Sequence, residues 1–212
     1  MTVSGITASD KTYDGSTSAT LTGTAVYSGL VSGDTFNGTY TGAFSDKNVG
    51  TGKTVNITPS YSGADVNNYS VTDQSSTTAD ISAKALTATA SASNKTYDGG
   101  TTASTTLTFT GLVGSETLGQ TVGSTFDNKN VGTGKTVTVN SITLADGSGL
   151  AANYSISAGQ TTTANITVKS LTVSNVSASN KTYDGTTTAL MDGTSAVYSG
   201  SVSYTHLTLP TT

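Results

Sequence analysis

The chain has no cysteine, no tryptophan and no arginine, and it has one histidine, one glutamate and two prolines in 212 residues. Each shortage closes a route. Without cysteine there is no disulfide framework, no thiolate metal site and no thiol nucleophile. With His206 as the sole histidine, a Ser-His-Asp or Cys-His arrangement has almost nothing to assemble from. With Glu116 as the sole glutamate, a glycosidase carboxylate pair would have to come from twelve aspartates, a residue that caps and bends loops far more often than it catalyses. These counts point to a protein that is not an enzyme and needs no cofactor. Charge is scarce too. Only 10% of residues are charged, the net charge is -4, and the positive charges are nine scattered lysines, so there is no basic footprint for nucleic acid. No apolar run approaches the ~20 residues of a membrane span. Met1-Thr2-Val3-Ser4-Gly5 lacks the basic and apolar regions of a signal peptide, so any export signal is expected outside this sequence.

Threonine supplies roughly a fifth of the chain, and β-branched side chains with few strong helix formers favour extended backbone. Leu, Ile, Val and Phe together reach only roughly 18%, which is thin for a core, but the high net charge that goes with disorder is missing. Short alternating runs such as Thr136-Val137-Thr138-Val139 and Ile166-Thr167-Val168 read as half-buried strands. Asp14-Gly15, Asn37-Gly38 and Asp146-Gly147 supply turn positions between them. The expected class is all-β, as tandem small sandwiches of immunoglobulin-like type. A β-grasp-like fold is the alternative if a helix hides between Leu112 and Gly123.

Internal repetition is the dominant feature. Lys11-Thr12-Tyr13-Asp14-Gly15 recurs as Lys95-Thr96-Tyr97-Asp98-Gly99 and as Lys181-Thr182-Tyr183-Asp184-Gly185, at spacings of 84 and 86 residues. The nine residues from Lys47 to Val55 return identically from Lys129 to Val137. Asn68-Tyr69-Ser70 is matched by Asn153-Tyr154-Ser155, and Thr77 to Ile81 by the run from Thr161 to Ile166 with Asp changed to Asn. A unit this long exceeds a solenoid repeat and suits a small domain. The expected organisation is copy one at 1–83, copy two at 84–169 and the truncated start of copy three at 170–201, arranged as beads on a string.

These blocks, in this order, resemble the YDG-type repeat of bacterial filamentous-haemagglutinin-like surface proteins. The resemblance implies a secreted or cell-surface location associated with the outer membrane, and a part in adhesion. It brings no catalytic residue with it. Its implied partners are neighbouring repeats of the same chain and, through the parent protein, host surface glycans or proteins. Residues 202–212 depart from the repeat and read as sequencing-adapter read-through, so they are left out of fold and function.

Within the copies, Tyr13-Asp14-Gly15, Tyr97-Asp98-Gly99 and Tyr183-Asp184-Gly185 are taken as a structural motif, the tyrosine packing its ring while Asp-Gly turns the chain. An exposed aromatic beside a carboxylate would instead suit sugars or host proteins, and repetition would then add avidity. Gly50-Thr51-Gly52-Lys53-Thr54 and its copy at Gly132 to Thr136 suggest a phosphate loop, but where that motif needs a glycine, five positions before Gly52 and Gly134, Lys47 and Lys129 stand. A hairpin turn leading into a strand is the expectation there. Asp10, Asp14 and Asp65 offer hard oxygens for calcium without the dense acidic spacing such a loop uses, so no metal is assigned. Asn-x-Thr triplets such as Asn56-Ile57-Thr58 arise by chance in so threonine-rich a chain.

Overall fold

The computed structural model describes residues 1–202; the departure from the repeat expected at 202–212 therefore lies, except for Val202, outside the described residues, as does His206. The chain is all-β. In order the strands are β1 (Thr2–Ala8), β2 (Lys11–Thr12), β3 (Ser18–Ala19), β4 (Leu21–Ser28), β5 (Asn37–Phe44), β6 (Gly50–Ser62), β7 (Ser76–Ser82), β8 (Lys84–Ala85), β9 (Thr87–Ala92) and β10 (Lys95–Thr96). They continue as β11 (Thr105–Thr110), β12 (Leu118–Phe126), β13 (Gly132–Asp146), β14 (Tyr154–Ser155), β15 (Thr161–Thr167), β16 (Thr172–Ser174), β17 (Ser177–Ala178), β18 (Met191–Asp192) and β19 (Val197–Ser199). Single 3-10 turns at Val66–Asn68 and Ala151–Asn153 are the helical elements among the described residues. Leu112 to Gly123 holds a turn followed by β12, with no helix.

Contacts divide the chain into two compact units that do not follow the copy boundary at 83/84. The first unit comprises Met1–Thr89, Thr108–Thr121 and Ile142–Ser157; the second comprises Ala90–Leu107, Val122–Ser141 and the described residues from Ala158 to Val202.

In the first unit, a five-stranded sheet runs in the order β2-β7-β6-β5-β3, and β1 pairs with β4 in a separate ladder. The β2–β7 pairing is parallel, while β6 is antiparallel to both its neighbours. The pleat explains the inner face. Phe44, Gly42, Tyr40 and Gly38 alternate along β5 opposite Val55, Ile57, Pro59 and Tyr61 on β6. A Cβ on Gly42 would lie 2.7 Å from Leu21 Cδ2, and one on Gly38 would lie 2.5 Å from the Tyr27 hydroxyl. The glycines on this face therefore admit large side chains from β4. Pro59 lacks an N–H, and it is tolerated because β7 pairs with β6 only between Gly50 and Asn56, leaving β5 as the sole neighbour at Pro59.

The main core of the first unit is shared between the copies. Tyr13, Phe44, Val55, Ala79 and Ile81 of copy one pack with Leu86 and Tyr154 of copy two. So thin a stock of large apolar side chains makes this sharing favourable, because a unit this small buries proportionately little surface by itself. A second cluster of Val3, Ile6 and Ile57 joins β1 to β6.

In the second unit, β10 and β15 form a four-stranded sheet with the parts of β13 and β12 that lie within Val122–Ser141, in the order β10-β15-β13-β12, with β10–β15 again parallel. Ala103, Phe126, Val137, Ala164 and Ile166 form its core, repeating the chemistry of Phe44, Val55, Ala79 and Ile81. The third copy contributes two short antiparallel ladders, β16–β19 and β17–β18, whose residues are largely exposed.

Candidate functional site

The Tyr-Asp-Gly turn is built the same way three times. Asp14 Oδ1 accepts the Ser16 N–H at 2.8 Å, an Asx turn, and Gly15 follows at φ +80°. Only glycine adopts that φ without strain. The lysine three residues before the aspartate completes the turn. Lys11 Nζ donates to Asp14 Oδ1 at 2.8 Å and to the carbonyls of Ser16 and Ser18 at 2.8 and 3.0 Å, and it lies 5.4 Å from the centre of the Phe44 ring. Lys95 repeats this on Asp98, Gly100 and Thr102 beside Phe126, and Lys181 on Asp184 and Thr186. Lys11 pulls the Asp14 carboxyl down to about 2, helped by the Ser16 amide, and Lys95 and Lys181 likewise lower Asp98 and Asp184. The recurrence of a lysine three residues before each aspartate is the sequence signal of this role.

A second local framework surrounds the Gly-Thr-Gly-Lys blocks. Gly50 already pairs with Ile81, and the register shifts between Gly50 and Lys53, so Gly52 (φ +57°) lies in a bulge inside the β6–β7 ladder. Gly134 (φ +61°) repeats this between β13 and β15. Lys53 bonds both carboxylate oxygens of Asp46 at 2.8 Å, and Lys135 pairs with Asp127 at 2.8 Å. Both lysines are thus committed to their own loops.

The three motif tyrosines have different surroundings. Tyr13 is 1% exposed, Tyr97 is half-buried and Tyr183 is 94% exposed. Inside the first unit, Tyr13 is enclosed by the second copy. Its hydroxyl donates to Glu116 Oε1 at 2.7 Å, and Tyr154 donates to Glu116 Oε2 at 2.6 Å. The two rings meet edge to face, 5.4 Å between centres at 79°. Lys47 adds a 3.4 Å ion pair to Glu116. Beside them Asn153, 1% exposed, accepts the Val49 N–H at 2.9 Å and donates to Asn48 at 3.0 Å. The Val113 N–H donates to the Tyr154 hydroxyl at 3.0 Å. Donation by Tyr154, together with Tyr13 and Lys47, holds Glu116 below the ordinary carboxylate range. Burial, then the carboxylate, raises Tyr13 and pushes Tyr154 up to about 12. The result is a plug and socket closed by a shared carboxylate. Sequence reasoning weighed Glu116 only as a possible acid and missed this role, because its partner lies 103 residues away.

The family described as YDG domain matches residues 1–79 and 82–164. The chain belongs to the YDG domain family. No curated protein and no solved structure matches it. The two YDG copies share the network around the socket tyrosine, since Tyr69 donates to Asp34 at 2.6 Å and accepts the Val31 N–H at 3.0 Å in copy one.

Elsewhere the YDG copies differ. Copy one carries Tyr27, Phe36, Tyr40 and Tyr61 in mutual ring contact, with Tyr40 donating to Tyr27 at 3.1 Å and Tyr61 donating to Asp73. Copy two has Phe109, Leu118, Val122 and Thr143 at the corresponding positions. Beside Tyr27 and Tyr40 an open pocket of about 570 Å³ is lined also by Ile6, Leu21 and Gly38. The three aspartates considered for calcium are engaged in separate places: Asp10 accepts the Asp80 N–H, Asp14 holds Lys11 and the Ser16 N–H, and Asp65 accepts the Thr35 N–H. Among the described residues no three acidic or histidine side chains gather, and no helix is long and apolar enough to cross a membrane.

Proposed function

We propose that these YDG copies are non-catalytic spacer or stalk units of a large secreted or cell-surface bacterial adhesin of the filamentous-haemagglutinin-like kind, located at the outer-membrane surface. The observation that carries this reading is the plug of Tyr13 into Glu116 and Tyr154. The motif that defines the repeat is used to fasten one copy to the next, which is what a load-bearing row of units requires. The finer fold, tandem immunoglobulin-like sandwiches, belongs to the same proposal; the packing of Val3 and Ile6 of β1 on Ile57 of β6 supports it.

The rival is weak binding of host glycans or proteins by the repeats themselves. The Tyr27–Tyr40 pocket favours it more than the motif does, because Tyr13 is buried while the pocket presents two tyrosines and a polar rim. Glycan-array and host-matrix binding by the whole chain separates the two. A spacer gives no saturable signal. Saturable binding that Tyr40→Ala abolishes without lowering the melting temperature overturns the spacer reading.

A further inference from the structure

The socket occurs twice, and the chain's own plug fills one of them. In copy two, Val113, Glu116 and Tyr154 close over Tyr13, and a Cβ on Gly15 would come within 2.8 Å of Val113 Cγ1. In copy one the same groups, Val31, Asp34 and Tyr69, are held by the same two hydrogen bonds, yet Val31 is 61% exposed and Asp34 and Tyr69 are only half-buried. Asp34 Oδ2 accepts from Tyr69, as Glu116 Oε2 accepts from Tyr154, which leaves Oδ1 in the part that Glu116 Oε1 plays toward Tyr13.

A matching plug is also exposed. The third copy keeps the complete turn, with Lys181 on Asp184 at 2.7 Å, the Thr186 N–H on Asp184 at 3.0 Å, and Gly185 at φ +72°. Its Tyr183 is 94% exposed, and a Cβ on Gly185 would meet nothing within 4 Å. Tyr97 is the poorer plug, because it is already half-buried.

We propose that Val31, Asp34 and Tyr69 form a docking socket for a second copy of this chain, which inserts the Tyr183-Asp184-Gly185 turn. The contact is heterologous, since plug and socket are different surfaces, so it propagates head to tail and gives open chains unless the rotation closes a ring. It is weaker than the internal plug for two reasons. Asp34 is one methylene shorter than Glu116, and association between molecules carries an entropy cost that a covalently joined copy avoids. The proposal rests on the spacer reading in taking this interlock as the way units stack.

Sedimentation of the whole chain over a range of protein concentrations tests it. The expected result is reversible association that grows with concentration, is lost in Tyr183→Ala and in Val31→Asp, and strengthens several-fold in Asp34→Glu. Melting curves of the three variants should match the parent, since all three side chains lie at exposed or half-exposed positions. A chain that stays monomeric throughout, in Asp34→Glu as well, overturns the proposal, as does association indifferent to Tyr183→Ala. If the chain is monomeric while Tyr13→Ala still destabilises it, docking between molecules fails and the spacer reading stands.

Discussion

Replacing each motif tyrosine in turn by alanine asks one question of three identical pentapeptides. Tyr13 is 1% exposed, so its removal deletes a buried aromatic ring and leaves a cavity between Phe44 and Tyr154. Buried aromatic-to-alanine changes cost about 3–5 kcal/mol. Part of that is the hydrogen bond to Glu116, and bonds to charged acceptors contribute about 1.5–3 kcal/mol, which Tyr13→Phe isolates by keeping the ring. Lys47 and Tyr154 remain on Glu116, so the carboxylate is not stranded and the effect of Tyr13→Phe belongs at the lower end of that range. Tyr183 is 94% exposed, and its loss should stay within about 0.5 kcal/mol, as for other surface substitutions. Tyr97→Ala should fall between them. The assay is urea denaturation of the whole chain followed by circular dichroism, with each transition fitted separately because two compact units need not unfold together. Equal midpoints for Tyr13→Ala and Tyr183→Ala would refute the interlock, whatever the absolute values.

Gly15→Val and Gly99→Val should each destabilise by about 1–3 kcal/mol, because both glycines hold φ above +80° or at it. Gly15→Val should be the worse, since its Cβ would also meet Val113 at 2.8 Å; a thermal melt unchanged by either would remove the turn argument. Acid should act on the same turns late. A carboxylate whose folded pKa is depressed adds stability above its ordinary value of 3.8, and that stability is lost as the pH falls through about 2 for Asp14. Carboxyl-carbon NMR titration should therefore place the Asp14 midpoint well below that of a free aspartate, and Lys11→Met should return it toward 3.8. An Asp14 midpoint near 3.8 in the parent chain would dissolve the Lys11 pairing.

Sequence by itself determined whatever depends on near neighbours along the chain. Threonine-rich alternation and scarce helix formers made the strands legible, and Asp14-Gly15 announced its turn because an Asx turn and a positive φ involve only adjacent residues. Repetition located the copies, because identical blocks need no structure to be seen. The Gly-Thr-Gly-Lys block was legible as a turn but not as a bulge, since whether Gly50 pairs depends on Ile81, thirty-one residues on. Tertiary structure alone decided what the motif tyrosine does. Lys-Thr-Tyr-Asp-Gly is the same at 11, 95 and 181, yet its ring is enclosed in the first, half-covered in the second and bare in the third. Burial is a property of what the following copy brings over the ring, here Glu116 and Tyr154, and identical local sequence carries no record of that.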